Sequence, residues 1–284
     1  MQDEEIRQKV REGYAKVATQ SSSCCGSEAK TASAGCGCNS SSISPKTLSQ
    51  QIGYSEEEMD EVPEGANLGL GCGNPVALAS LKPGEVVLDL GSGAGFDCFL
   101  AASKVGPTGR VIGVDMTSEM LDKARANLRK GQYSNVEFRL GEIENLPVAD
   151  NTVDAIISNC VINLSPDKKR VFREALRVLK PAGRLMVSDI VVLKELPQNI
   201  KDSIAAYVGC IAGASVKNDY LAAIKAAGFQ DIQVVGESFY PIDGIENDST
   251  VKQMMDDSGV TLEQLKDMAA SVSSIKVSAF KPAN

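Results

Sequence analysis

The stretch Val86–Gly95 reads VVLDLGSGAG and decides the fold of this chain. Its first half is an apolar run broken by one acid, Asp89, which is typical of a strand buried in a parallel sheet. Its second half has glycine at every second position, so the backbone can turn tightly and bring its N–H groups to a ligand at the start of the next helix. We therefore expect a ligand-binding turn here, although the same glycines could do no more than close the connection between strand and helix.

Strand-like and helical segments alternate on the C-terminal side of this turn. Strands are predicted at residues 110–115, 136–140, 153–158 and 184–189, and helices at 119–130 and 167–179. This alternation predicts an α/β fold with a doubly wound, mainly parallel sheet. After Val192 it gives way to predicted helices at 199–210 and 217–227 and strands at 232–240 and 275–280, which indicate a smaller C-terminal α+β region.

The composition excludes several kinds of chemistry. The 284 residues include eight cysteines but no histidine, and 29 basic against 37 acidic residues give a net charge of −8. Without histidine the chain cannot build a Ser-His-Asp triad, a Cys-His dyad, a histidine-ligated zinc site or a histidine general base. The acidic balance disfavours nucleic-acid binding. Chemistry must therefore come from thiols, carboxylates, backbone amides or a cofactor.

The N-terminal residues predict no targeting signal. They are acidic and lead into an amphipathic helix over residues 3–18, and no apolar run is long enough to cross a membrane. We expect a cytosolic protein, whose cysteines serve as core residues, ligands or redox-active thiols rather than as permanent disulfides. Four of them fall in a Ser- and Gly-rich segment that is expected to be a flexible loop; they are Cys24, Cys25, Cys36 and Cys38. A zinc site there is the weaker alternative, because the spacing is not that of two C-x2-C pairs.

An acid at the end of the second strand, Asp115, adds to the glycine turn, because a carboxylate there can bind both hydroxyls of a ribose. A nicotinamide dinucleotide is one interpretation. The DLGSGAG form, however, resembles the S-adenosylmethionine loop of class I methyltransferases, and the segments GEIENLP and LKPAGR resemble the turns after the third strand and before the fifth in their Rossmann-like fold. The resemblance implies cofactor contacts from Asp89, Gly91, Ser92, Gly93, Gly95, Asp115, Met116, Glu142, Ile143, Glu144 and Asn159.

Three cysteines inside the fold stand in distinctive contexts: Cys72 in GCGNP, Cys160 in NCVINL and Cys210 in YVGCIAGA. Each alone could be a small buried apolar residue, as we expect for Cys98. Cys160, however, follows the fourth strand, and ligands of open α/β sheets bind beyond the carboxyl ends of strands. Cys160 is therefore predicted at the edge of the sheet where ligands bind.

The three cysteine segments, arranged around this glycine loop, closely resemble arsenite S-adenosylmethionine methyltransferases. The resemblance implies that Cys160 and Cys210 bind As(III), and that Cys72 supplies a third sulfur or forms a disulfide during turnover. It also implies that one N-terminal cysteine pairs with Cys72, with Cys24 and Cys25 nearest to the family's pattern. The expected substrates are arsenite and methylated As(III), and the expected products are mono- and dimethylated arsenicals, made in arsenic detoxification.

The chemistry accounts for the residue types. Trivalent arsenic is soft and suits thiolate ligands. Held by three of them it keeps a lone pair, which can attack a sulfonium methyl group without a general base, so the lack of histidine is no handicap. Because methylation formally oxidises arsenic, thiols that join in a disulfide could return the electrons, and glutathione or thioredoxin would then reset the enzyme.

These expectations divide the chain into three parts. Residues 1–66 hold the N-terminal helix and the flexible Cys-, Ser- and Gly-rich segment, residues 67–195 the S-adenosylmethionine-binding domain, and residues 196–284 the arsenic-binding substrate region. We expect a monomer without nucleic-acid or membrane partners. Two alternatives stay open: a methyltransferase acting on a carbon or oxygen atom of a small organic molecule, and a thiol-based metalloid-binding protein without turnover.

Overall fold

A computed structural model describes residues 3–19, 44–131, 133–201, 207, 210–239, 261, 263 and 270–283. The strands in these residues are β1 (Val86–Leu90), β2 (Arg110–Asp115), β3 (Val136–Leu140), β4 (Val153–Asn159), β5 (Leu179–Val192), β6 (Gln230–Phe239) and β7 (Val272–Phe280). The helices are α1 (Asp3–Thr19), α2 (Pro45–Gln51), α3 (Glu56–Asp60), α4 (Pro75–Leu78), α5 (Phe96–Val105), α6 (Ser118–Gly131), α7 (Lys168–Val178), α8 (Gln198–Lys201) and α9 (Lys217–Ala227).

The described strands form one sheet of seven, in the order β3-β2-β1-β4-β5-β7-β6. The first five strands pair in parallel, as the alternation of strands and helices predicts. β7 and β6 add an antiparallel edge, with β7 inserted between β5 and β6. The order reverses between β1 and β4, so the crevice at their carboxyl ends is the place where such a sheet binds its ligand.

Local sequence signals account for several helix starts. Ser55 accepts from the Glu58 backbone N–H while the Glu58 carboxylate accepts from the Ser55 N–H, which is the capping box that the S-x-x-E spacing favours at a helix start. Asn74 caps α4 through the Ala77 N–H, with Pro75 in the first turn. Asp167 caps α7 in the same way through the Arg170 N–H.

Two predicted strands are longer in the structure. The fifth, expected over residues 184–189, runs over Leu179–Val192, and the last, expected over residues 275–280, runs over Val272–Phe280. Their mutual pairing extends both strands at one end, because the antiparallel ladder between β5 and β7 runs from Arg184↔Phe280 to Val192↔Val272. The extra residues at the start of β5 come from pairing with β4, where Val153 faces Leu179. Of the helix expected over residues 199–210, the described residues show α8 and a helical Tyr207.

Apolar side chains cover both faces of the sheet. One cluster centres on Leu88, Phe172 and Ile224, and the other on Phe99, Leu100 and Leu121. A third cluster lies at the carboxyl ends of the strands and brings Cys72, Cys160 and Cys210 together with Val10 of α1. None of the helices in the described part of the chain combines the length and the apolar composition that a membrane crossing needs.

Candidate active site

A cleft opens where β1, β2 and β4 end, and it encloses about 1050 Å³ including the part open to solvent. Ten of the predicted site residues line it: Asp89, Gly91, Ser92, Gly93, Asp115, Met116, Ile143, Glu144, Asn159 and Cys160. Gly95 and Glu142 do not line it, and Cys72 and Cys210 lie behind it in the third apolar cluster. Cys24, Cys25, Cys36 and Cys38 lie outside the described residues.

The glycine turn needs its glycines for two different reasons. Gly91 has a φ of +69°, and a Cβ there would lie 2.3 Å from a methyl group of Val161. Gly93 has a φ of +52°, but a Cβ there would meet no atom within 4 Å. Gly91 therefore permits close packing, whereas Gly93 keeps the backbone left-handed at an open part of the cleft.

Asp115 ties the turn to the end of β2. One carboxylate oxygen accepts from the Gly93 N–H at 2.9 Å and the other from the Thr117 N–H at 2.8 Å. Burial raises the pKa of Asp115, and these backbone hydrogen bonds act in the opposite direction. Beside it, Ser92 Oγ is buried without a hydrogen-bond partner among the described residues. A bound ligand with polar groups would satisfy that hydroxyl.

A second carboxylate, Asp89, faces the cleft from the end of β1. Burial, and then repulsion from Asp97, raises the pKa of Asp89 well above its usual value. The Cys98 thiol donates to this carboxylate at 3.2 Å. Cys98 is fully buried in the core, as predicted, and it also contacts an acid of the cleft, which the sequence did not indicate.

A hydrogen-bond network that the sequence analysis missed joins β4 to the loop before α3. The Tyr54 hydroxyl donates to Asp97 at 2.6 Å, and the Asn159 amide donates to the Tyr54 oxygen at 2.8 Å and to Asp97 at 3.1 Å. Burial raises the pKa of Asp97 to about 6, against the effect of these hydrogen bonds. The sequence signal was there, because Asp97 lies two residues after the last glycine of the turn, but its partner Tyr54 is 43 residues away along the chain.

Helix α1 covers the cleft at the carboxyl ends of the strands. Arg7, Val10 and Tyr14 contribute to its lining. Arg7 Nε lies 3.4 Å from Glu144 and 3.7 Å from Glu142, so both acids after β3 engage the helix. Glu144 is buried and also accepts from the Ser165 hydroxyl at 2.6 Å.

Cys72 is fixed by groups from three strands. Its N–H donates to Asn159 Oδ1 at 2.9 Å, and its carbonyl accepts from the Ser274 hydroxyl at 2.8 Å. Its thiol lies 3.8 Å from Ser188 Oγ. The next residue must be glycine, because a Cβ on Gly73 would lie 1.9 Å from that same oxygen. The loop that carries Cys72 therefore packs closely against β4, β5 and β7.

Cys160 and Cys210 both have left-handed backbones, with φ of +59° and +63°, which is unusual for residues other than glycine. The Cys210 thiol donates to the Cys160 carbonyl at 3.0 Å and lies 3.9 Å from the Tyr14 hydroxyl. Hydrogen bonds with the Cys210 and Cys72 thiols, and then burial, raise the pKa of the Cys160 thiol well above its usual value. Left-handed backbone strain of this kind is found at functional sites, where the surrounding structure enforces it.

The three thiols are neighbours, and none of them is in a disulfide. In the described part of the chain no group of three or more Cys, Asp or Glu side chains has the spacing of a metal-ion site. Because the Cys160 thiol is held in its protonated form, a soft ion bound by all three sulfurs would have to displace protons and adjust their spacing.

Comparison with known proteins places this arrangement in a family. The family model described as a methyltransferase domain matches residues 81–228. An arsenite methyltransferase of Halobacterium salinarum is 51% identical over 231 residues, which are 81% of this chain and 59% of that protein. The chain thus spans less than two thirds of this relative's length.

This chain covers a larger share of two further relatives. The crystal structure of CrArsM, an arsenic(III) S-adenosylmethionine methyltransferase from Chlamydomonas reinhardtii, matches with a TM-score of 0.62 and 34% identity over 83% of this chain and 74% of that one. The ubiquinone/menaquinone biosynthesis C-methyltransferase UbiE of Enterobacter sp. (strain 638) is 31% identical over 68% of this chain and 73% of that protein. Three findings agree: the match to the family model, an identity to CrArsM that is higher than that to UbiE, and the cleft described above. The chain belongs to the arsenite methyltransferase family of methyltransferase-domain proteins.

Proposed function

We propose that this protein methylates trivalent arsenic with S-adenosylmethionine as the methyl donor. One observation carries the proposal: the thiols of Cys72, Cys160 and Cys210 meet in one apolar cluster, and Cys160 also lines the cleft beside the glycine turn. A cluster of three sulfurs suits a soft, thiophilic centre better than it suits a carbon or oxygen nucleophile.

The residues of the cleft fit the cofactor. Three carboxyl groups, the buried ones of Asp89 and Asp97 and the partly buried one of Asp115, face a space that a cationic ligand would occupy favourably. The partnerless Ser92 hydroxyl and the open space at Gly93 fit a ligand with polar groups that approaches the backbone closely. When bound, S-adenosylmethionine supplies a methyl group on an electrophilic sulfonium. In this proposal the residues that hold it are Asp89, Gly91, Ser92, Gly93, Asp115, Met116, Ile143, Glu144 and Asn159.

The chain's own residues hold the reactants in place and keep water away from them. The three thiols would bind arsenic as thiolates and leave its lone pair directed at the cleft, so no side chain has to remove a proton from the nucleophile. Val10, Leu164 and Ile190 surround the thiols with apolar surface and exclude water. Holding the two reactants in one orientation is the main source of rate that such a site offers.

Electrons must balance at each methylation. Transfer of a methyl cation raises arsenic formally from the trivalent to the pentavalent state, and two thiols that join in a disulfide return two electrons and release two protons. Cys72, with an N-terminal cysteine such as Cys24 or Cys25, is our candidate pair. A cellular thiol reductant, glutathione or thioredoxin, would then restore the thiols by exchange. The cytosolic location and the monomeric state stay predictions.

The test is to incubate the purified protein with S-adenosylmethionine, arsenite and a thiol reductant, and to identify arsenic products by mass analysis. Methylated arsenicals are expected from the wild type and not from Cys160→Ser or Cys210→Ser, while all three proteins bind S-adenosylmethionine. Cys98→Ala is the matched cysteine control and should bind arsenite as the wild type does. A folded wild type that binds the cofactor but yields no methylated arsenic contradicts the proposal.

A second candidate function is methylation of a carbon atom in a small organic molecule, which the similarity to UbiE favours. The cysteine variants separate the two, because a carbon nucleophile needs no thiol ligands. If Cys160→Ser and Cys210→Ser keep their methyl-transfer activity on an organic acceptor, this second function is the correct one.

A further inference from the structure

A buried carboxylate that no sequence motif singled out lies in β5 between the two turns that carry Cys160 and Cys210. Asp189 is fully buried and does not line the cleft. Its two oxygens accept from three donors: the Asn163 amide at 2.9 Å, the Ile190 N–H at 2.9 Å and the Tyr220 hydroxyl at 3.1 Å. Asn163 belongs to the turn that carries Cys160, and Tyr220 belongs to the helix that follows the Cys210 turn.

On the Cys160 side, the chain leaves β4 and turns back against β5. The Cys160 N–H donates to the Ser188 carbonyl at 2.8 Å. Three residues later, Asn163 directs its amide group to Asp189 and to the Ile190 carbonyl. The Cys160 turn is therefore fixed to β5 at both ends, and Asp189 supplies the side-chain acceptor among these contacts, beside the backbone carbonyls of Ser188 and Ile190.

On the Cys210 side, the chain pairs briefly with the end of β5 and then enters α9. The Val192 N–H donates to the Ser215 carbonyl at 3.0 Å, and Val192 bridges Val216 in parallel. Tyr220, in the first turn of α9, packs its ring on Phe172 and reaches Asp189 with its hydroxyl. The same carboxylate thus anchors the element that follows Cys210.

The two turns also contact each other directly. Gly213 lies so close to the Asn163 carbonyl that a Cβ on it would be 2.1 Å from that oxygen. The Cys210 thiol meets the Cys160 carbonyl at 3.0 Å. A shift of either turn would therefore move both thiols, and both turns depend on the position of Asp189.

A buried carboxylate is a poor choice for stability alone, since an apolar side chain of similar volume would avoid the loss of hydration. Its value lies in direction, because hydrogen bonds fix the angle and the spacing of their donors. We propose that Asp189 is a positioning residue that sets the spacing of the Cys160 and Cys210 thiols for trivalent arsenic. This inference rests on the proposed function and adds a residue to its arsenic site.

The test compares arsenite binding by the full chain and its Asp189→Asn variant, with sulfur coordination of arsenic read from X-ray absorption. Asparagine keeps the volume but removes the charge and replaces one acceptor oxygen by a donor, so the Tyr220 hydroxyl can no longer donate to Oδ2 and must turn to accept instead. We expect arsenite affinity to fall by about tenfold or more, as when outer partners of metal ligands are replaced. The arsenic should then have fewer than three sulfur neighbours. Affinity for S-adenosylmethionine should stay within about twofold, because Asp189 lies outside the cleft.

Tyr220→Phe is the second variant, and it decides the matter if Asp189→Asn fails to fold. It removes one hydrogen bond to Asp189 while the ring keeps its packing on Phe172. Arsenite affinity should fall while S-adenosylmethionine affinity does not, and the melting temperature should fall too, because a buried carboxylate oxygen loses its donor. Tyr133→Phe is the matched control, because its hydroxyl donates to the Glu61 carbonyl at 3.1 Å on the exposed surface. That variant should bind arsenite as the wild type does.

The outcomes separate this inference from the function on which it rests. If the wild type binds no arsenite, both fail. If the wild type holds arsenic with three sulfurs and Asp189→Asn, or Tyr220→Phe where the former does not fold, does so with equal affinity, only the positioning role is overturned. A loss of affinity confined to these variants and absent from Tyr133→Phe supports it.

Discussion

Asp97 holds a carboxyl group inside the cleft with a pKa raised to about 6 by burial. In the unfolded chain the pKa of the same group is about 4. Between those values the folded state keeps a proton that the unfolded state has lost, so the free energy of unfolding falls as the pH rises through this window and is level above it. We predict that Asp97→Asn removes this contribution, which amounts to about 1.4 kcal/mol per pH unit.

Urea unfolding of the wild type and the variant across that pH range measures the effect. Asp122→Asn is the control, because the Asp122 side chain is 80% exposed and its ion pair with Arg125 is a surface one. Parallel stability curves for the wild type and Asp97→Asn would show that Asp97 has no raised pKa. The residue-scale prediction is thus a change of slope, which loss of packing alone would not produce.

Gly73 makes a second residue-scale prediction. Because a Cβ there would lie 1.9 Å from Ser188 Oγ and 2.8 Å from Ser188 Cβ, Gly73→Ala must push the Cys72 loop away from β5. We expect a loss of about 1–3 kcal/mol in the free energy of unfolding, the usual range for an overpacked site. Arsenic methylation should fall with it, since Cys72 is the residue immediately before Gly73.

The second-site variant Ser188→Gly, placed in the same chain, removes both close atoms and should restore part of the lost activity. Gly236→Ala is the matched control, because the nearest atom its Cβ would meet is in the flexible side chain of Lys276, at 3.2 Å. If Gly73→Ala is as stable and active as Gly236→Ala, the loop is less tightly held than the structure indicates.

At the scale of elements, α1 is attached to the sheet domain by few contacts. Val10 is its one buried side chain. Its polar contacts include the Arg7 and Arg11 ion pairs with Glu142 and Glu144, the Lys123 bond to the Ala18 carbonyl and the contact of the Tyr14 hydroxyl with the Cys210 thiol. Elements with few buried contacts open at lower free energy than the core. We predict that Val10→Ala, which removes about 1–2 kcal/mol of apolar burial, speeds hydrogen exchange in α1 by about tenfold.

Hydrogen exchange followed by mass analysis of peptides gives the measurement, with β1 as the internal reference that should not change. Gln8→Ala is the control, because Gln8 is exposed and its hydrogen bond to Glu12 lies on the outer face of the helix. Faster exchange in β1 as well as in α1 would mean that Val10 contributes to global stability rather than to closure of the cleft.

The strands and helices of the parallel half could be predicted from their sequence because each element carries its own signal. The VVLDL run, the glycine turn and the Ser55–Glu58 box are each made of residues that lie within a few positions of one another. The network of Tyr54, Asp97 and Asn159 could not be predicted, since its members are far apart along the chain and meet only in the fold. Asp189 was missed for the same reason, as an ordinary strand residue without a local motif.

At the scale of the whole molecule, the position of the last strand in the sheet could not be predicted from the sequence. Alternation predicts that residues near 275–280 form a strand, but it does not say that this strand inserts between β5 and β6 in antiparallel direction. That insertion matters for the candidate site, because it brings a C-terminal serine to the Cys72 loop. The Cys72 loop and the C-terminal strand β7 are thereby joined through the sheet.

Ser274 carries this long-range connection and the last prediction. Its hydroxyl donates to the carbonyl of Cys72, 202 residues earlier, at 2.8 Å, and the group is buried. Ser274→Ala leaves that carbonyl without its partner, which should cost about 1–3 kcal/mol of stability and lower methylation of arsenic. Ser273→Ala is the control, because its hydroxyl points to the opposite face and bonds Glu237 at 3.1 Å. Thermal unfolding and arsenic product analysis of both variants decide the matter: equal activity in the two would mean that β7 supports the sheet without positioning Cys72.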